Sequence, residues 1–383
     1  MSRMKDTKSR SGRVGRLAAA TLGAAMLALV GAATAAATEF AYVSNAKSEF
    51  VTPINLTTNT AETGIKVGVP TSSIAISSEN NAYAPEAEGT KLTHFSLSGI
   101  VGEPITLGKA KSLEPEAIAI SGEFAYIADE EFEKGAEGAV SVVNVAKNEF
   151  VTTITKEVGL EPEGIAVSGK FVYVADKAAE KQGTVAVIEI GASPTEDKVV
   201  NVIPIGGDEG CTPETAGSCA EPVKIAISGK DAYVADAASG DVTVIEIAST
   251  PAEDKVVRTI EKVGKTETVG TGTDLDNIAV APNGKTAYAV DGSEKEGESK
   301  VVPIEIGSKP EEDKVVPEAD FIPVGKGAHG IAINSTGSLV VVTDEEESES
   351  THDGAVSVIE TATNKVVGEP IPVAGEPDGV AIH

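Results

Sequence analysis

The sequence predicts an all-β protein folded as a seven-bladed β-propeller with four antiparallel strands in each blade. Three observations lead there: a strand-forming triplet that recurs seven times, a column of tyrosines that follows it, and chain ends that complement each other. The 383 residues are 41% hydrophobic but only 4% aromatic, and they include no tryptophan. A core of this composition must come from Val, Ile, Ala and Leu, which favours strands.

Residues 1–37 have the three-part organisation of a secretory signal peptide. Six basic residues and one acidic residue precede Leu17, residues 17–34 are apolar, and Ala35–Ala37 offer an A-x-A cleavage site. An uncleaved anchor is the alternative, because residues 17–37 are about long enough to span a bilayer. We expect export, to the medium or the cell envelope, no membrane insertion after cleavage, and a mature part that forms one propeller domain of residues 38–383.

The recurring unit begins with the triplet Ile-Ala-Ile or a close variant, with copies 44 to 60 residues apart. This spacing is typical of propeller blades rather than of helical solenoids. Alternation along a strand places the flanking Ile or Val on one face and the central Ala on the other. We interpret the triplet as the innermost strand, where blades crowd at the axis. The copies are Ile74–Ile76, Ile118–Ile120, Ile165–Val167, Ile225–Ile227, Ile278–Val280, Ile331–Ile333 and Val380–Ile382.

A second strand with a central tyrosine follows most copies, and a polar residue stands three positions after the tyrosine. Asp and Asn end strands well because their side chains bond the backbone of the next turn. The tyrosines are Tyr42, Tyr83, Tyr126, Tyr173, Tyr233 and Tyr288, with Val341 in the remaining copy. The polar residues are Asn45, Glu86, Asp129, Asp176, Asp236, Asp291 and Asp344. Strand-end chemistry explains this column better than a set of ligands does.

Third and fourth strands complete each blade, as in Val242–Ile247 and Val256–Ile260. The chain finishes with a lone first strand at 378–383, whereas the mature chain begins with a second strand at 40–45. The third and fourth strands of that blade are expected near 50–56 and 64–69. The two ends therefore predict one shared blade, which removes the free sheet edges that otherwise template aggregation.

Segments such as Tyr233–Ala248 (YVADAASGDVTVIEIA) and Tyr42–Thr60 resemble the YVTN-type β-propeller repeat family over nearly the whole mature chain. The resemblance implies a propeller fold. Propellers of this kind include secreted or cell-surface binding proteins, lactonases and subunits of quinoprotein dehydrogenases. The chain departs from the usual pattern in having Asp where Asn is common and in its longer acidic loops. A shared fold does not carry function, so the resemblance transfers no functional residue.

Two cysteines, Cys211 and Cys219, lie eight positions apart in one predicted insertion. In an exported protein this spacing favours a local disulfide, with free thiols or a metal pair as alternatives. A loop this short would gain only about 2–3 kcal/mol from the chain-entropy effect. The bond would stiffen the insertion rather than hold the fold.

The charge balance excludes several partners. The formal net charge is −28, and loss of residues 1–37 takes it to −33 with Arg258 as the remaining arginine. Such an acidic surface repels nucleic acid and anionic membranes. It also disfavours phosphorylated ligands, which arginine usually binds. We expect a monomer whose partner is a protein or a small molecule.

A candidate site lies where the loops into the first strands meet around the axis. The residues two positions before each triplet should form this rim, and they are Ser72, Glu116, Glu163, Val223, Asp276, His329 and Asp378. Carboxylates at 116, 163, 276 and 378 could hold Ca²⁺, and His329 would favour a transition metal. A solvated acidic rim without an ion is the simpler interpretation.

Three inserts on the opposite face share the pattern P-x-E-D-K or P-E-E-D-K: Ser193–Lys198, Thr250–Lys255 and Lys309–Lys314. They predict tight polar turns and blade duplication, with a partner-binding stripe as the alternative. The four histidines show no H-E-x-x-H spacing, and no G-x-S-x-G elbow is present. The leading hypothesis is therefore a binding or scaffold propeller that uses its acidic axial face. A lactonase-like, metal-dependent hydrolase with a site on the axial rim is the alternative.

Overall fold

The computed structural model describes residues 38–108, 114–130, 138–177, 182–206, 220–261, 263–264, 275–292, 299–345 and 353–383. The predicted signal peptide and both cysteines lie outside these residues. In the described part of the chain, no helix has the length and hydropathy that crossing a bilayer requires.

The described residues form a seven-bladed β-propeller of antiparallel sheets, which confirms the predicted fold. We number the blades by the order of their innermost strands along the chain. Blade 1 contains Ala75–Ile76, Asn81–Pro85, Lys91–Ser96 and Ile105–Thr106. Blade 2 contains Pro115–Ser121, Phe124–Asp129, Ala139–Asn144 and Glu149–Ile154. Blade 3 contains Pro162–Ser168, Phe171–Asp176, Thr184–Glu189 and Lys198–Pro204.

Blades 4 to 7 repeat this order. Blade 4 contains Pro222–Ser228, Asp231–Asp236, Asp241–Glu246 and Lys255–Ile260. Blade 5 contains Leu275–Val280, Thr286–Asp291, Lys300–Glu305, Lys314–Val315 and Ile322–Pro323. Blade 6 contains Ala328–Ile333, Leu339–Asp344, Asp353–Glu360, Lys365–Val366 and Ile371–Ala374. Blade 7 contains Pro377–Ile382, Phe40–Asn45, Phe50–Asn55, Thr60–Ala61 and Ile65–Lys66.

Blade 7 closes the ring as predicted, with one strand from the C-terminal end and the rest from the N-terminal end. Tyr42 pairs with Ala381 and Val43 with Val380 across this seam. Phe40 and His383 exchange two backbone hydrogen bonds of 2.9 Å. The closing strand is therefore bonded to its blade like the innermost strand of any other blade.

The outermost strands of blades 5 to 7 differ from the prediction, because each is split into two short pieces. Pro317 lies between the pieces in blade 5, and Gly368 and Pro370 lie between those in blade 6. Proline has no N–H for the ladder, and Gly368 has a φ of 74°. The backbone therefore leaves the sheet at these points and rejoins it later. Short 3₁₀ helices occupy Pro194–Glu196, Pro251–Glu253, Pro310–Glu312 and Glu318–Asp320.

The central alanine of each triplet stands opposite the aromatic column. In blade 3, Ala166 pairs with Tyr173, and in blade 4, Ala226 pairs with Tyr233. The six blades that have the tyrosine show the same pairing, and in blade 6, Ala332 pairs with Val341. Each tyrosine side chain is at most 5% exposed. A small residue beside a large one lets the ring lie between two blades without a clash.

Candidate functional site

A cavity of about 220 Å³ lies on the propeller axis, lined by the innermost strands of all seven blades. Its apolar wall consists of the first residue of every triplet: Ile74, Ile118, Ile165, Ile225, Ile278, Ile331 and Val380. Its polar wall consists of Ser72, Ser73, Glu116, Lys224, Asn277, His329 and Asp378. The sequence repeat therefore builds a ring of β-branched side chains beneath a ring of polar groups.

A β-bulge recurs where each innermost strand approaches this polar ring. The register shifts there in blades 2 to 7, and the extra residue is Glu116 in blade 2, Glu163 in blade 3 and Val223 in blade 4. It is Asp276 in blade 5. Bulges re-aim side chains and are frequent beside functional sites. The predicted rim column is therefore a column of bulges.

Two hydroxyl groups satisfy the bulges of blades 6 and 7. Gly330 donates its N–H to the Thr343 hydroxyl at 2.6 Å, and Gly379 donates to the Ser44 hydroxyl at 2.8 Å. A Cβ at Gly330 would lie 2.1 Å from the carbonyl oxygen of Asp378. Only glycine permits this approach of two innermost strands.

Glu116 is the polar group of blade 2 in the cavity wall. Burial raises the pKa of its carboxyl to about 7, while nearby Lys224 lowers the pKa and Asp378 and Glu163 raise it. The carboxyl therefore changes its charge near neutral pH. A group of this kind can bind a cation or act as an acid or a base.

Two lysines hold Glu163 at the same rim, Lys177 from its own blade and Lys224 from blade 4. Lys177 forms a 2.9 Å ion pair with Glu163, whose side chain is 14% exposed. Lys224 donates a 2.8 Å hydrogen bond to the backbone carbonyl of Glu163. The carboxylate of Glu163 thus already has a cation as its partner.

Blades 6 and 7 meet in a cluster of His329, Glu345 and Asp378. Nδ1 of His329 lies 2.8 Å from Oδ1 of Asp378 and 3.5 Å from Oε1 of Glu345. Burial lowers the pKa of His329, but the charge and hydrogen bond of Asp378, together with Glu345 and Asp276, raise it to about 10. The imidazole is therefore a cation at neutral pH, held between two carboxylates.

Of the five residues in the predicted metal ring, His329 and Asp378 are in direct contact. Among the described residues, His329, Glu345 and Asp378 are the acidic and histidine side chains whose ligand atoms all lie within 4.8 Å of one another. Glu116 lines the cavity, and Glu163 is paired with Lys177. Asp276 lies close enough to influence His329.

Sequence reasoning missed Lys224, Asn277 and Glu345. The prediction counted two positions back from each triplet, but in blades 4 and 5 the residue one position before the triplet lines the cavity instead. In blade 4, Val223 is 5% exposed and packs in the core beside Leu275, while Lys224 lines the cavity. An uninterrupted period of two could not reveal this change.

Six of the seven residues in the polar column at the end of the second strands are buried, and Glu86 is half-buried. Its carboxylates accept hydrogen bonds from third-strand hydroxyls: Ser141 to Asp129 at 2.6 Å, Thr243 to Asp236 at 2.6 Å and Ser357 to Asp344 at 2.7 Å. Asp176 also accepts the backbone N–H groups of Leu160 and Glu161 at 2.7 Å. These residues serve the fold, in line with the strand-end interpretation.

The three similar inserts connect neighbouring blades. The tyrosine hydroxyl of each preceding blade donates to the insert's aspartate: Tyr126 to Asp197 at 3.0 Å, Tyr173 to Asp254 at 2.8 Å and Tyr233 to Asp313 at 3.2 Å. We call these three pairs the tyrosine–aspartate latches. They give the shared aspartate of the inserts a role inside the protein.

Comparison with protein families identifies LVIVD repeats, which form a β-propeller repeat family. The repeat model matches residues 114–132, 162–180 and 223–256. These segments cover the first two strands of blades 2 and 3 and most of the first three strands of blade 4. The match supports a propeller repeat, whereas the YVTN-type resemblance remains a prediction. No curated protein sequence matches the chain.

Several solved structures share the fold at low sequence identity. A functionally unknown protein from Desulfotomaculum acetoxidans is 18% identical, with a TM-score of 0.66, over 90% of this chain and 98% of its own. The Pseudomonas aeruginosa periplasmic gluconolactonase PpgL is 13% identical, with a TM-score of 0.68, over 90% and 98%. Hydrazine synthase from Kuenenia stuttgartiensis is 19% identical, with a TM-score of 0.61, over 81% and 88%. The chain is thus similar to a set of propellers with different activities, and the likeness shows the fold alone.

Proposed function

We propose that the protein is an exported binding propeller that holds a small polar ligand in its axial cavity. The observation that carries this proposal is the polar wall of the cavity, where Glu116, Lys224, Asn277, His329 and Asp378 converge from five blades. A concave site with a few convergent polar groups is the usual form of a ligand pocket. The acidic face around it selects against anionic partners.

A thermal-shift screen of the mature protein against small polar metabolites tests the proposal. A ligand of the cavity should raise the Tm of the wild type, because binding to the native state stabilises it. The shift should disappear in Glu116→Gln, which keeps the side-chain size but removes the charge. Glu253→Gln is the matched control, since Glu253 is exposed in an insert on the other face. Equal shifts in both variants would place the ligand elsewhere.

A hydrolase is the second candidate, and Glu116 is the observation that favours it. A carboxyl whose pKa is about 7 is suited to act as a general base on water. The similarity to a periplasmic gluconolactonase makes a lactone the first substrate to test.

The His329, Glu345 and Asp378 cluster offers nitrogen and oxygen donors of the kind that zinc binds. A metal there would have to displace the proton that Asp378 and Glu345 hold on His329. Metal analysis of the purified protein and the hydrolysis of gluconolactone, with and without chelator, test this alternative. A rate equal to the spontaneous one in the wild type would exclude it for that lactone.

A further inference from the structure

We propose that the axial cavity binds a small zwitterion, of the α-amino acid or betaine kind, in one fixed orientation. The cation of the ligand would face blades 1 and 2, and its carboxylate would face blades 4 and 5. This inference rests on the proposed binding function, because it names the class of ligand for the same cavity.

The cavity wall holds one ion pair and two further charged groups. The innermost strands contact one another in chain order, and those of blades 7 and 1 are also in contact. Asp378 in blade 7 and His329 in blade 6 neutralise each other at 2.8 Å. Glu116 in blade 2 stands beside Ser72 and Ser73 of blade 1. We call Glu116, Ser72 and Ser73 the acidic half of the cavity.

The other side carries a basic group. Lys224 in blade 4 stands beside the amide of Asn277 in blade 5. We call these two residues the basic half. Blade 3 adds only Ile165 between the halves on that side. Glu116 and Lys224 therefore face each other across blade 3, close enough for the charge of Lys224 to act on the Glu116 carboxyl.

The basic half can address a carboxylate through several donors. An ammonium has three N–H donors, and Lys224 uses one on the carbonyl of Glu163 at 2.8 Å. Asn277 adds its side-chain amide. In the acidic half, the Glu116 carboxyl and the hydroxyls of Ser72 and Ser73 are acceptors for an ammonium.

The volume agrees with a small ligand. A cavity of about 220 Å³ holds about seven water molecules at ~30 Å³ each. Drug-sized ligands need about 300–1,000 Å³. Alanine or a betaine has the right number of atoms, and its alkyl part would lie against the ring of Ile and Val residues.

Singly charged ligands fit this wall less well than a zwitterion does. An anion would face Glu116, and a cation would face Lys224. Like charges in a partly desolvated site are costly, whereas complementary charges fix the orientation. A zwitterion meets an opposite charge at both ends.

Isothermal titration of the mature protein with matched probes tests the inference. L-alanine and glycine betaine are the zwitterions, L-alaninamide carries only the cation, propionate carries only the anion, and glucose is neutral. We expect the zwitterions to bind about 10-fold or more tighter than either singly charged analogue, since each lost charged hydrogen bond weakens binding by at least that factor. The affinity of alanine compared with that of betaine, which has no N–H group, shows whether the site uses the ligand's N–H donors.

Two variants assign the orientation. Lys224→Gln should weaken alanine binding by about 10-fold or more while leaving alaninamide unchanged or tighter. Glu116→Gln should also weaken alanine binding, but it should not weaken the binding of propionate. Lys230→Gln and Glu253→Gln, both exposed and away from the cavity, are the controls. This charge-selective exchange would not follow from a structural defect.

The possible failures are distinguishable. If glucose, propionate, alaninamide or a divalent cation binds as tightly as the zwitterions and Glu116→Gln abolishes it, the zwitterion inference is wrong and the cavity is still a binding site. The proposed function also fails if neither Glu116→Gln nor Lys224→Gln changes the binding of any probe or any metabolite of the screen.

Discussion

The hydroxyl of Tyr173 in blade 3 donates a 2.8 Å hydrogen bond to Oδ2 of Asp254 in blade 4. Oδ1 of the same carboxylate accepts the backbone N–H of Ala248 at 2.7 Å. One side chain therefore closes its own loop and joins it to the neighbouring blade. Both residues are buried, so neither group can replace the other with bulk water.

We expect Tyr173→Phe to lower the free energy of unfolding by about 1–3 kcal/mol. The change leaves Oδ2 of Asp254 buried without its donor, which costs the desolvation of that group. A double-mutant cycle with Asp254→Asn, measured by urea denaturation, isolates the coupling between the two side chains. If the stability losses of the two single variants simply added in the double variant, the two side chains would not be coupled.

Tyr288→Phe is the matched control for this cycle. Its hydroxyl donates over a longer 3.3 Å to the amide oxygen of Asn364, a neutral side chain. Hydrogen bonds to charged groups contribute more than neutral ones, so this variant should lose less stability than Tyr173→Phe. Equal losses would point to ring packing rather than the hydrogen bond.

The protein should become less stable as pH rises from about 4 to about 8. Burial raises the pKa of Asp236 from 3.8 to about 8 and that of Asp129 to about 7, despite hydrogen bonds from Thr243 and Ser141 that lower both values. Between the unfolded and folded pKa values, the native state binds more protons. The stabilisation from each of these groups is therefore fully present below its unfolded pKa. It is lost as the pH rises through the folded pKa, by up to about 1.4 kcal/mol per pH unit for each group.

Asp236→Asn should flatten this dependence, because an amide keeps the polar shape without a titrating proton. The measurement is urea denaturation at several pH values between 4 and 9. Asp320→Asn, at an exposed position, should keep the wild-type slope. A slope for Asp236→Asn that matches the wild type would show that Asp236 titrates at an ordinary pKa in the native state.

Removal of residues 376–383 should open the ring at blade 7. The deletion exposes the edge of Phe40–Asn45, which pairs with Pro377–Ile382 in the intact protein. An unpaired edge recruits other chains, so we expect a lower Tm and soluble oligomers by size-exclusion chromatography. A synthetic peptide of residues 376–383 should restore the monomer. A monomeric deletion variant with the wild-type Tm would contradict the closure argument.

The two cysteines should form a disulfide in the exported protein, with a mass 2 Da below that of the dithiol. Reduction should lower the free energy of unfolding by at most about 2–3 kcal/mol, because Cys211 and Cys219 close a short loop. Intact mass with and without reductant, together with urea denaturation, checks both statements. Two alkylatable thiols in the native protein would overturn the prediction.

Most of the fold could be predicted because strand period and repeat spacing are local properties. The triplet Ile165–Val167, the tyrosine at 173 and the complementary ends all lie where alternation and turn residues place them. The split outer strands could not be predicted as well, because a segment such as Val366–Val373, with Val or Ile at both ends, reads as one strand. Gly368 and Pro370 within that run were the available signal.

The site was predicted in outline only. The axial rim, Glu116, His329 and Asp378 followed from the repeat, but Lys224 and Asn277 depend on bulges that shift the register by one residue. Glu345 joins the rim from the end of a second strand, which sequence spacing does not connect to Asp378. The latches were missed for a related reason, since Tyr173 and Asp254 are 81 residues apart and meet only across a blade boundary.

The latches have a consequence for how such a ring can change in size. Blades 3 and 4 each receive a hydroxyl from the blade before and offer one to the blade after. If either blade were duplicated in tandem, the copy would find a phenol donor in the blade before it and a carboxylate acceptor in the blade after it. No new kind of contact would be needed. Gene duplication could therefore add a blade in one step. The number of blades would then be limited by the curvature of the ring and by closure at the seam.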